Sequence, residues 1–406
     1  EWIPGEAIYL KKNPYYFRAN EGLPKFDFLE FKVIGIQGDS NINALRDGLC
    51  DFLDYSVLFY DQIYNINNLL NLYQKPYITA YFTPGPDLEF ILFNVNTYSK
   101  KINKNDKYKS NFLNDLSLRR AIVDCLNREK ALQKVFYNLI EIPLTYLPPS
   151  HPFYQAELEQ YAFSPEQGTQ ILEDLGWIDH DNDPTTPRTS SGVKDIEDGT
   201  LLTLDYITTQ DNTHPLFSQI LAESLEECGI GINLEVCHRE ILLSPTPKNP
   251  LFSGEFDIAQ YTWSTGNTSP CYLFLSPEST DNVYPEFAED LSLLNFSGYV
   301  NPLLDSLCLQ ALKAKTSDKK TQAIHNQMQE ILNQDLPYFP LYYHPTIALA
   351  RPDLCNFKLD ISARCDLWNI EELDYGVTCG KLPTEKIAQP SAKHYVHFMR
   401  VPEVIK

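Results

Sequence analysis

The sequence lacks any long hydrophobic run. Its apolar stretches, such as residues 88–95 and 339–343, fall well short of the ~18 residues that a membrane-spanning helix needs. It also lacks a basic leader with an apolar core, and it begins with Glu1 rather than Met. We therefore expect a soluble chain that is a fragment or a processed piece of a longer protein.

Positive charge is scarce. The 33 Lys and Arg residues face 54 Asp and Glu residues, which leaves a net charge of −21. Such a surface repels the phosphates of nucleic acids and anionic lipid head groups, so nucleic-acid binding is excluded as a function. The hydrophobic fraction of 43%, with 25 Tyr and 22 Phe, is typical of a folded globular protein. At about 150 residues per domain, 406 residues predict two or three domains or two lobes.

The short motifs of several enzyme classes are missing. There is no G-x-x-x-x-G-K-[ST], G-x-G-x-x-G, H-E-x-x-H or G-x-S-x-G, so nucleotide hydrolysis, dinucleotide binding, zincin proteolysis and serine hydrolysis have no basis in the sequence. The sequence thus predicts no catalytic residue, no cofactor and no enzyme. A carbohydrate hydrolase that uses two of the 54 acids is the alternative, although no particular pair stands out.

Metal-binding spacings are missing as well. The nine cysteines contain no C-x-x-C pair, and none of the eight histidines is spaced with a second His or Cys as a metal pair. Asp179, Asp181 and Asp183 alternate like the first ligands of a calcium loop, but Pro184 and Ser190 replace the Gly and Glu that such a loop requires. A solvated acidic loop is therefore favoured, and no residue is predicted to bind a metal.

The cysteines allow disulfides if the protein resides in an oxidising compartment. Cys355 and Cys365 flank a plausible turn and form the preferred pair. The alternative is that the cysteines are buried free thiols.

Hydrophobic periodicity predicts alternating strands and helices. We expect strands at residues 7–10, 28–34, 50–55, 88–95, 201–207, 232–236, 256–263 and 338–350. We expect helices at 38–46, 115–137 with a break near Asn127, 165–176, 216–228 and 316–334. The strand, helix and strand of residues 201–236 favour a right-handed crossover, so the predicted fold class is α/β. After Tyr375 the periodicity is lost.

One loop has the composition of a ligand site. Trp263 ends a predicted strand and leads into Ser264, Thr265, Gly266 and Asn267. Ligands of open α/β sheets bind at the carboxyl ends of strands, where a Trp offers a stacking wall and the polar residues offer hydrogen bonds. These five residues are the predicted ligand-binding site. A core Trp beside an ordinary turn is the alternative.

Several segments carry a resemblance, in the same order along the chain. They are EWIPGEAIYLKKNPYYF at residues 1–17, LEFILFNVN at 88–96, LPPSHPFY at 147–154, SPEQGTQILEDLGW at 164–177, SGEFDIAQYTW at 253–263 and a stretch at 298–344 that contains GYVNP and LPYFPLYYH. Together they resemble the extracellular solute-binding proteins of ABC importers for dipeptides, oligopeptides and nickel, known as family 5. The resemblance covers most of residues 1–375. Family members carry a further N-terminal portion before the equivalent of Glu1.

The resemblance implies a periplasmic-binding-protein-like fold of two lobes with mixed sheets and a hinge. Lobe I would comprise residues 1–96 and 346–375 and would be incomplete at its N-terminal side, lobe II would be 97–345, and the tail 376–406 stays unassigned. It also implies a monomeric receptor that captures an oligopeptide or related solute for a membrane permease. The expected location is the periplasm or the cell surface, with a lipid anchor as an option upstream of Glu1.

Two positions depart from the pattern of peptide binders in the family. Gly266 stands where many members place an Asp for the ligand ammonium, and Leu216 stands where dipeptide binders place an Arg for the ligand carboxylate. We therefore expect a longer peptide held by backbone contacts, or an uncharged ligand such as an oligosaccharide. A structural or signalling surface protein on the same scaffold is a third hypothesis, motivated by the tail.

Overall fold

The computed structural model divides into two compact units. It describes residues 1–33, 38–54, 57, 59, 62–71, 78–95, 112–183, 185–211, 213–243, 249–265, 269–276, 294–314, 319–360, 363, 367–376 and 395–400. Unit 1 comprises Glu1–Gly85 and Pro345–Lys406, and unit 2 comprises Pro86–His344. The lobe boundaries expected from the sequence stay a prediction.

The described elements alternate between strand and helix. The strands are β1 (Trp2–Ile3), β2 (Ala7–Lys11), β3 (Phe28–Val33), β4 (Phe52–Leu53), β5 (Thr79–Phe93), β6 (Trp177–Ile178), β7 (Thr189–Ser190), β8 (Thr203–Thr209), β9 (Gly231–Cys237), β10 (Ile258–Ser264), β11 (Tyr338–Ala350), β12 (Leu354–Cys355), β13 (Asp374–Tyr375) and β14 (Tyr395–Arg400). The helices are α1 (Gly38–Arg46), α2 (Ile63–Asn71), α3 (Leu116–Cys125), α4 (Arg128–Phe136), α5 (Pro165–Asp174), α6 (His214–Glu226), α7 (Arg239–Leu243), α8 (Pro250–Ser253), α9 (Pro302–Lys313) and α10 (Lys319–Asp335). The α/β class predicted from the sequence is confirmed.

In unit 1 the strand order is β1-β2-β3-β14-β4, and the last residues of β11 pair with β4. Strands β2 and β3 pair antiparallel, as expected for two strands of one sheet. Strand β14 lies in the segment that the sequence left unassigned, and it pairs parallel with both β3 and β4. Its partners lie more than 300 residues earlier in the chain, so local periodicity gives no sign of this pairing.

The sheet of unit 2 contains the neighbouring strands β5-β10-β8-β9. Strand β10 pairs antiparallel with β5 and parallel with β8, which makes the sheet mixed. Strands β8 and β9 pair parallel, and α6 connects them. This is the strand, helix and strand that the sequence predicts for residues 201–236.

Local capping explains where two helices of unit 2 begin. The Asp115 side chain accepts a hydrogen bond from the Ser117 amide at the start of α3, and the Asn127 side chain accepts one from the Lys130 amide at the start of α4. Both caps satisfy amides that lack partners within the helix. The predicted break near Asn127 is therefore confirmed. Helix α5 begins at Pro165, and Gly176 follows it with a φ of +90°, where a Cβ would lie 2.5 Å from the Ser191 carbonyl oxygen.

Each unit buries its own hydrophobic core. In unit 1, the rings of Phe52 and Phe357 pack in a tilted arrangement with centroids 4.6 Å apart. In unit 2, the Tyr342 ring packs 4.8 Å from the rings of both Phe136 and Phe217. Strand β5 is buried over its last six residues, as the continuous apolar run predicts for a strand covered on both faces. No helix in the described ranges has the length and hydrophobicity to cross a membrane.

Two disulfides lie within unit 2. Cys125 at the end of α3 bonds Cys228 just after α6, and Cys271 bonds Cys308 in α9. The expectation of free thiols is wrong for these four cysteines, because their partners lie 103 and 37 residues apart and spacing does not reveal them. Cys50 and Cys237 are free and buried.

The predicted bridge from Cys355 to Cys365 lies partly outside the described residues. Cys355 is disulfide-bonded, but Cys365 is outside the part of the chain that the structure describes. That pairing stays a prediction.

Candidate functional site

The predicted ligand-binding residues begin at the carboxyl end of β10. This strand runs one residue further than expected, to Ser264, which is exposed and pairs with Asp87 of β5. Trp263 pairs with Leu88, and Thr265 is the first residue after the strand. Gly266 and Asn267 lie outside the described residues, so the structure places the first three of the five predicted residues.

Trp263 is held by a neighbouring tyrosine. Its side chain is partly buried, and its indole N–H donates a hydrogen bond to the Tyr272 hydroxyl over 3.2 Å. The two rings meet edge to face, with centroids 6.3 Å apart. Tyr272 belongs to the 3-10 turn Pro270–Phe274, which the bond from Cys271 to Cys308 ties to α9. The indole is therefore fixed by a cross-linked turn while part of its surface reaches solvent.

Thr265 anchors the base of the loop. Its amide and its hydroxyl both donate to the Pro86 carbonyl oxygen, each over 2.7 Å, and the residue is buried. On the far side of the loop, the Ser269 hydroxyl donates to the Tyr146 hydroxyl over 3.2 Å. Both ends of the loop are thus fastened to unit 2 by hydrogen bonds.

Leu216 lies on the surface of α6. It is 52% exposed, and it follows His214, the first residue of the helix, by two positions. An aliphatic side chain at this position provides no charge to pair with a ligand carboxylate.

The acidic loop at residues 179–183 is organised by hydrogen bonds to its own backbone. The Asp179 carboxylate accepts hydrogen bonds from the amides of Asp181 and Asn182.

A polar cluster that the sequence analysis missed lies next to Trp263, on the other side of the sheet. Neighbouring residues of a strand point to opposite faces, so Thr262 faces away from the indole and contacts Glu89 on β5 and His344 on β11. His214 at the start of α6 completes the group. We call Glu89, His214, Thr262 and His344 the Glu89 cluster.

Three side chains of the Glu89 cluster converge on one carboxylate oxygen. Oε2 of Glu89 lies 2.6 Å from the Thr262 hydroxyl, 3.1 Å from Nε2 of His214 and 3.5 Å from Nε2 of His344. The other oxygen, Oε1, accepts a hydrogen bond from the Gln260 amide over 2.8 Å. Glu89 is fully buried, so these contacts replace the water that the carboxylate loses on folding.

The electrostatics of the cluster follow from burial and charge. Burial alone would raise the pKa of Glu89, but the attraction of His214 and the hydrogen bonds from both imidazoles lower that pKa to about 2. Burial would lower the pKa of His214, but the Glu89 carboxylate outweighs it and raises that pKa above its ordinary value. Each of the two groups therefore favours the charged form of the other. The two histidine nitrogens and the carboxylate oxygen are also donors of the kind that bind transition metals.

One feature of the sequence points to the Glu89 cluster. Glu89 is the only charged residue in the apolar run 88–95, and a charge in a strand covered on both faces needs partners. The histidines lie 125 and 255 residues further along the chain, so no spacing rule links them to Glu89.

Comparison with known proteins assigns the chain to a family of binding proteins. Residues 1–284 match the model described as bacterial extracellular solute-binding proteins, family 5 middle. A probable di/tripeptide-binding protein 5 of Pseudomonas aeruginosa is 27% identical over 255 residues, which is 63% of this chain and 42% of that protein. The oligopeptide-binding protein OppA of Mycobacterium tuberculosis is 25% identical over 358 residues, covering 87% of this chain and 51% of that protein. The chain thus spans about half the length of these curated relatives.

Solved structures show the same fold. The oligopeptide-binding protein AppA of Bacillus subtilis, in complex with a nonapeptide, superposes with a TM-score of 0.55 at 21% identity over 93% of this chain and 65% of that one. An oligopeptide-binding protein of Thermus thermophilus, complexed with a pentapeptide, gives 0.58 at 21% identity over 95% and 63%.

Proposed function

Because the chain belongs to the bacterial extracellular solute-binding proteins, family 5, we propose that it is the substrate-binding receptor of an ABC importer and that it captures an oligopeptide. Proteins of this family bind solutes outside the cytoplasm. The partner that receives the solute would be a membrane permease, and the receptor would act as a monomer.

The position of Trp263 is the single observation that carries this proposal. A large aromatic ring, partly exposed and fixed by Tyr272, lies at the carboxyl end of a sheet strand and starts a polar loop. Such a ring supplies contact area at a low cost in side-chain entropy, because its orientation is set before the ligand arrives. We assign ligand binding to Trp263, Ser264, Thr265, Gly266 and Asn267.

The peptide class is supported by the named relatives and by the composition of this loop. The names of two relatives and the titles of two structural neighbours refer to peptides. Gly266 and Leu216 provide no charge for the termini of a dipeptide. We therefore propose a longer peptide that is bound mainly through its backbone and stacks a side chain against Trp263.

The test is calorimetric titration of the purified protein with a pool of tri- to hexapeptides, a pool of dipeptides and a pool of neutral oligosaccharides. We expect heat of binding with the first pool only. Binding of the oligosaccharide pool instead would keep the receptor and replace the substrate class. Binding of none of the pools would contradict the proposal.

A pair of variants ties the binding to the loop. We expect Trp263→Ala to weaken peptide binding by about 30-fold, as for a buried aromatic contact worth about 2 kcal/mol. Trp368→Ala is the matched control, because Trp368 is 45% exposed and belongs to unit 1. Equal affinities of the two variants would remove Trp263 from the site.

A further inference from the structure

The Glu89 cluster is preorganised by four separate elements. Glu89 lies on β5, Thr262 on β10 and His344 on β11, and His214 is the first residue of α6. The two histidine nitrogens and the carboxylate oxygen all lie within 4.8 Å of one another. Glu89 and His214 are buried and His344 is nearly so. Such convergence on regular elements fixes the side chains more closely than a loop would.

The hydrogen bonds of Thr209 favour one tautomer of His214. The Thr209 hydroxyl donates its only proton to the Asp211 carboxylate over 3.0 Å, so its oxygen accepts from Nδ1–H of His214 over 2.8 Å. A neutral His214 then directs the lone pair of Nε2 at the Glu89 oxygen 3.1 Å away. The space between Nε2 and the Glu89 oxygen holds the proton of Nε2–H or, once that proton is displaced, a metal ion.

Two of the three separations between the donor atoms match those of a metal site. Bonds of about 2.1 Å in a tetrahedral arrangement place neighbouring donor atoms about 3.4 Å apart. The two distances from Glu89 Oε2 to the histidine nitrogens are 3.1 and 3.5 Å. The hydrogen bond from Nδ1 of His214 to Thr209 is the kind of outer contact that orients a metal-binding imidazole.

From this geometry we propose that Glu89, His214 and His344 bind a divalent first-row transition metal ion, with the Thr262 hydroxyl or an exogenous donor at the fourth position. Two imidazoles and one carboxylate suit Zn²⁺ and its neighbours, whereas Ca²⁺ and Mg²⁺ prefer sites made of oxygen ligands. The metal replaces the proton between His214 and Glu89, so binding releases that proton to solvent. The site uses residues of unit 2 alone and does not depend on the proposed solute.

The first experiment is equilibrium dialysis of EDTA-stripped protein against Zn²⁺, followed by metal analysis. We expect one Zn²⁺ per chain, and we expect Glu89→Gln and His344→Gln to lower the affinity by about 100-fold. His238→Gln is the matched control, because His238 is exposed and adjoins the free Cys237. If the control loses binding and His344→Gln keeps it, the metal lies at His238 and the proposal fails.

A second experiment needs no variant and so does not depend on whether the variants fold. X-ray absorption of the Zn²⁺-loaded wild-type protein should show nitrogen and oxygen ligands with the outer-shell signal of two imidazoles. Sulfur in the first shell would assign the ion to a cysteine and overturn the proposal. So would a wild-type protein that retains no Zn²⁺ after dialysis.

Discussion

The two faces of strands β5 and β10 are stabilised by different kinds of interaction. One face holds Glu89, Gln260 and Thr262 with the two histidines, and directed hydrogen bonds and ion pairs connect these side chains. The other face presents Trp263 and Tyr261, whose rings pack on neighbouring aromatic side chains. We call these the polar face and the aromatic face.

The two faces should differ in how well they tolerate amino-acid substitutions. Hydrophobic packing is non-directional and accepts changes of shape when volume is kept. A buried carboxylate keeps its stability only while each of its partners remains in place. We therefore expect the polar face to be sensitive to single substitutions and the aromatic face to be robust, although the two faces belong to the same strands.

The largest effect should come from removing the acceptor of the polar face. Glu89→Ala leaves His214, Gln260 and Thr262 without their buried acceptor, and we expect it to lower the free energy of unfolding by about 3–5 kcal/mol. The measurement is urea denaturation followed by circular dichroism in EDTA. The neighbouring Leu88→Ile on the aromatic face should cost less than about 1.5 kcal/mol. Equal losses of unfolding free energy in the two variants would contradict the expected difference between the faces.

The next effect concerns the turn that fixes the aromatic face. Replacing both Cys271 and Cys308 by Ser opens a cross-link between residues 37 apart and should cost about 4 kcal/mol by the chain-entropy relation. The same variant frees the turn that carries Tyr272, so peptide affinity should fall as well. The control is the Cys125→Ser, Cys228→Ser variant. If its peptide affinity falls to the same degree, the loss of affinity reflects a general loss of stability.

The pH dependence of stability should report on the polar face. The pKa of Glu89 is about 2 in the folded state against an ordinary 4.5, so its contribution of about 3 kcal/mol is present above pH 4.5 and lost as the pH falls toward 2. The pKa of His214 is raised above 6.5, so its contribution is present below pH 6.5 and lost as the pH rises through the folded-state value. We expect the pair to stabilise most between pH 4.5 and 6.5.

Denaturant titrations at successive pH values in EDTA would measure this profile. Subtracting the profile of the Glu89→Gln, His214→Gln variant isolates the pair from the other acids of the chain. A difference that stays flat from pH 2 to pH 8 would contradict the mutual stabilisation of charged Glu89 and charged His214.

The smallest effect should come from the hydroxyl that holds Trp263. Tyr272→Phe removes the acceptor of the indole N–H but keeps the ring, so the free energy of unfolding should fall by only about 1 kcal/mol. The freed indole should bind peptide several-fold more weakly, which calorimetry would measure. A loss of stability above 2 kcal/mol would show that the aromatic face also depends on directed contacts.

The same contrast explains what the sequence predicts and what it does not. The bounds of β11 match the expected strand, and α3 and α4 break at Asn127 as expected, because apolar spacing and capping are local signals. Trp263 is recognisable because a strand and a polar loop flank it in the chain. The aromatic face was therefore accessible to sequence reasoning.

The polar face was not accessible in the same way. Glu89, His214 and His344 meet only through tertiary pairing of β5, α6 and β11, and the disulfide partners are likewise distant in sequence. The predicted ligand residues Gly266 and Asn267 lie outside the described part of the chain, so their role remains a proposal.

The parallel pairing of β14 with both β3 and β4 has a consequence for the order of synthesis. Unit 1 draws on both the first 85 residues and the segment after His344, whereas unit 2 is one continuous stretch. A ribosome therefore releases all of unit 2 before it makes the strand that fills the gap between β3 and β4. We expect unit 2 to reach its native structure on the nascent chain while unit 1 waits for its central strand.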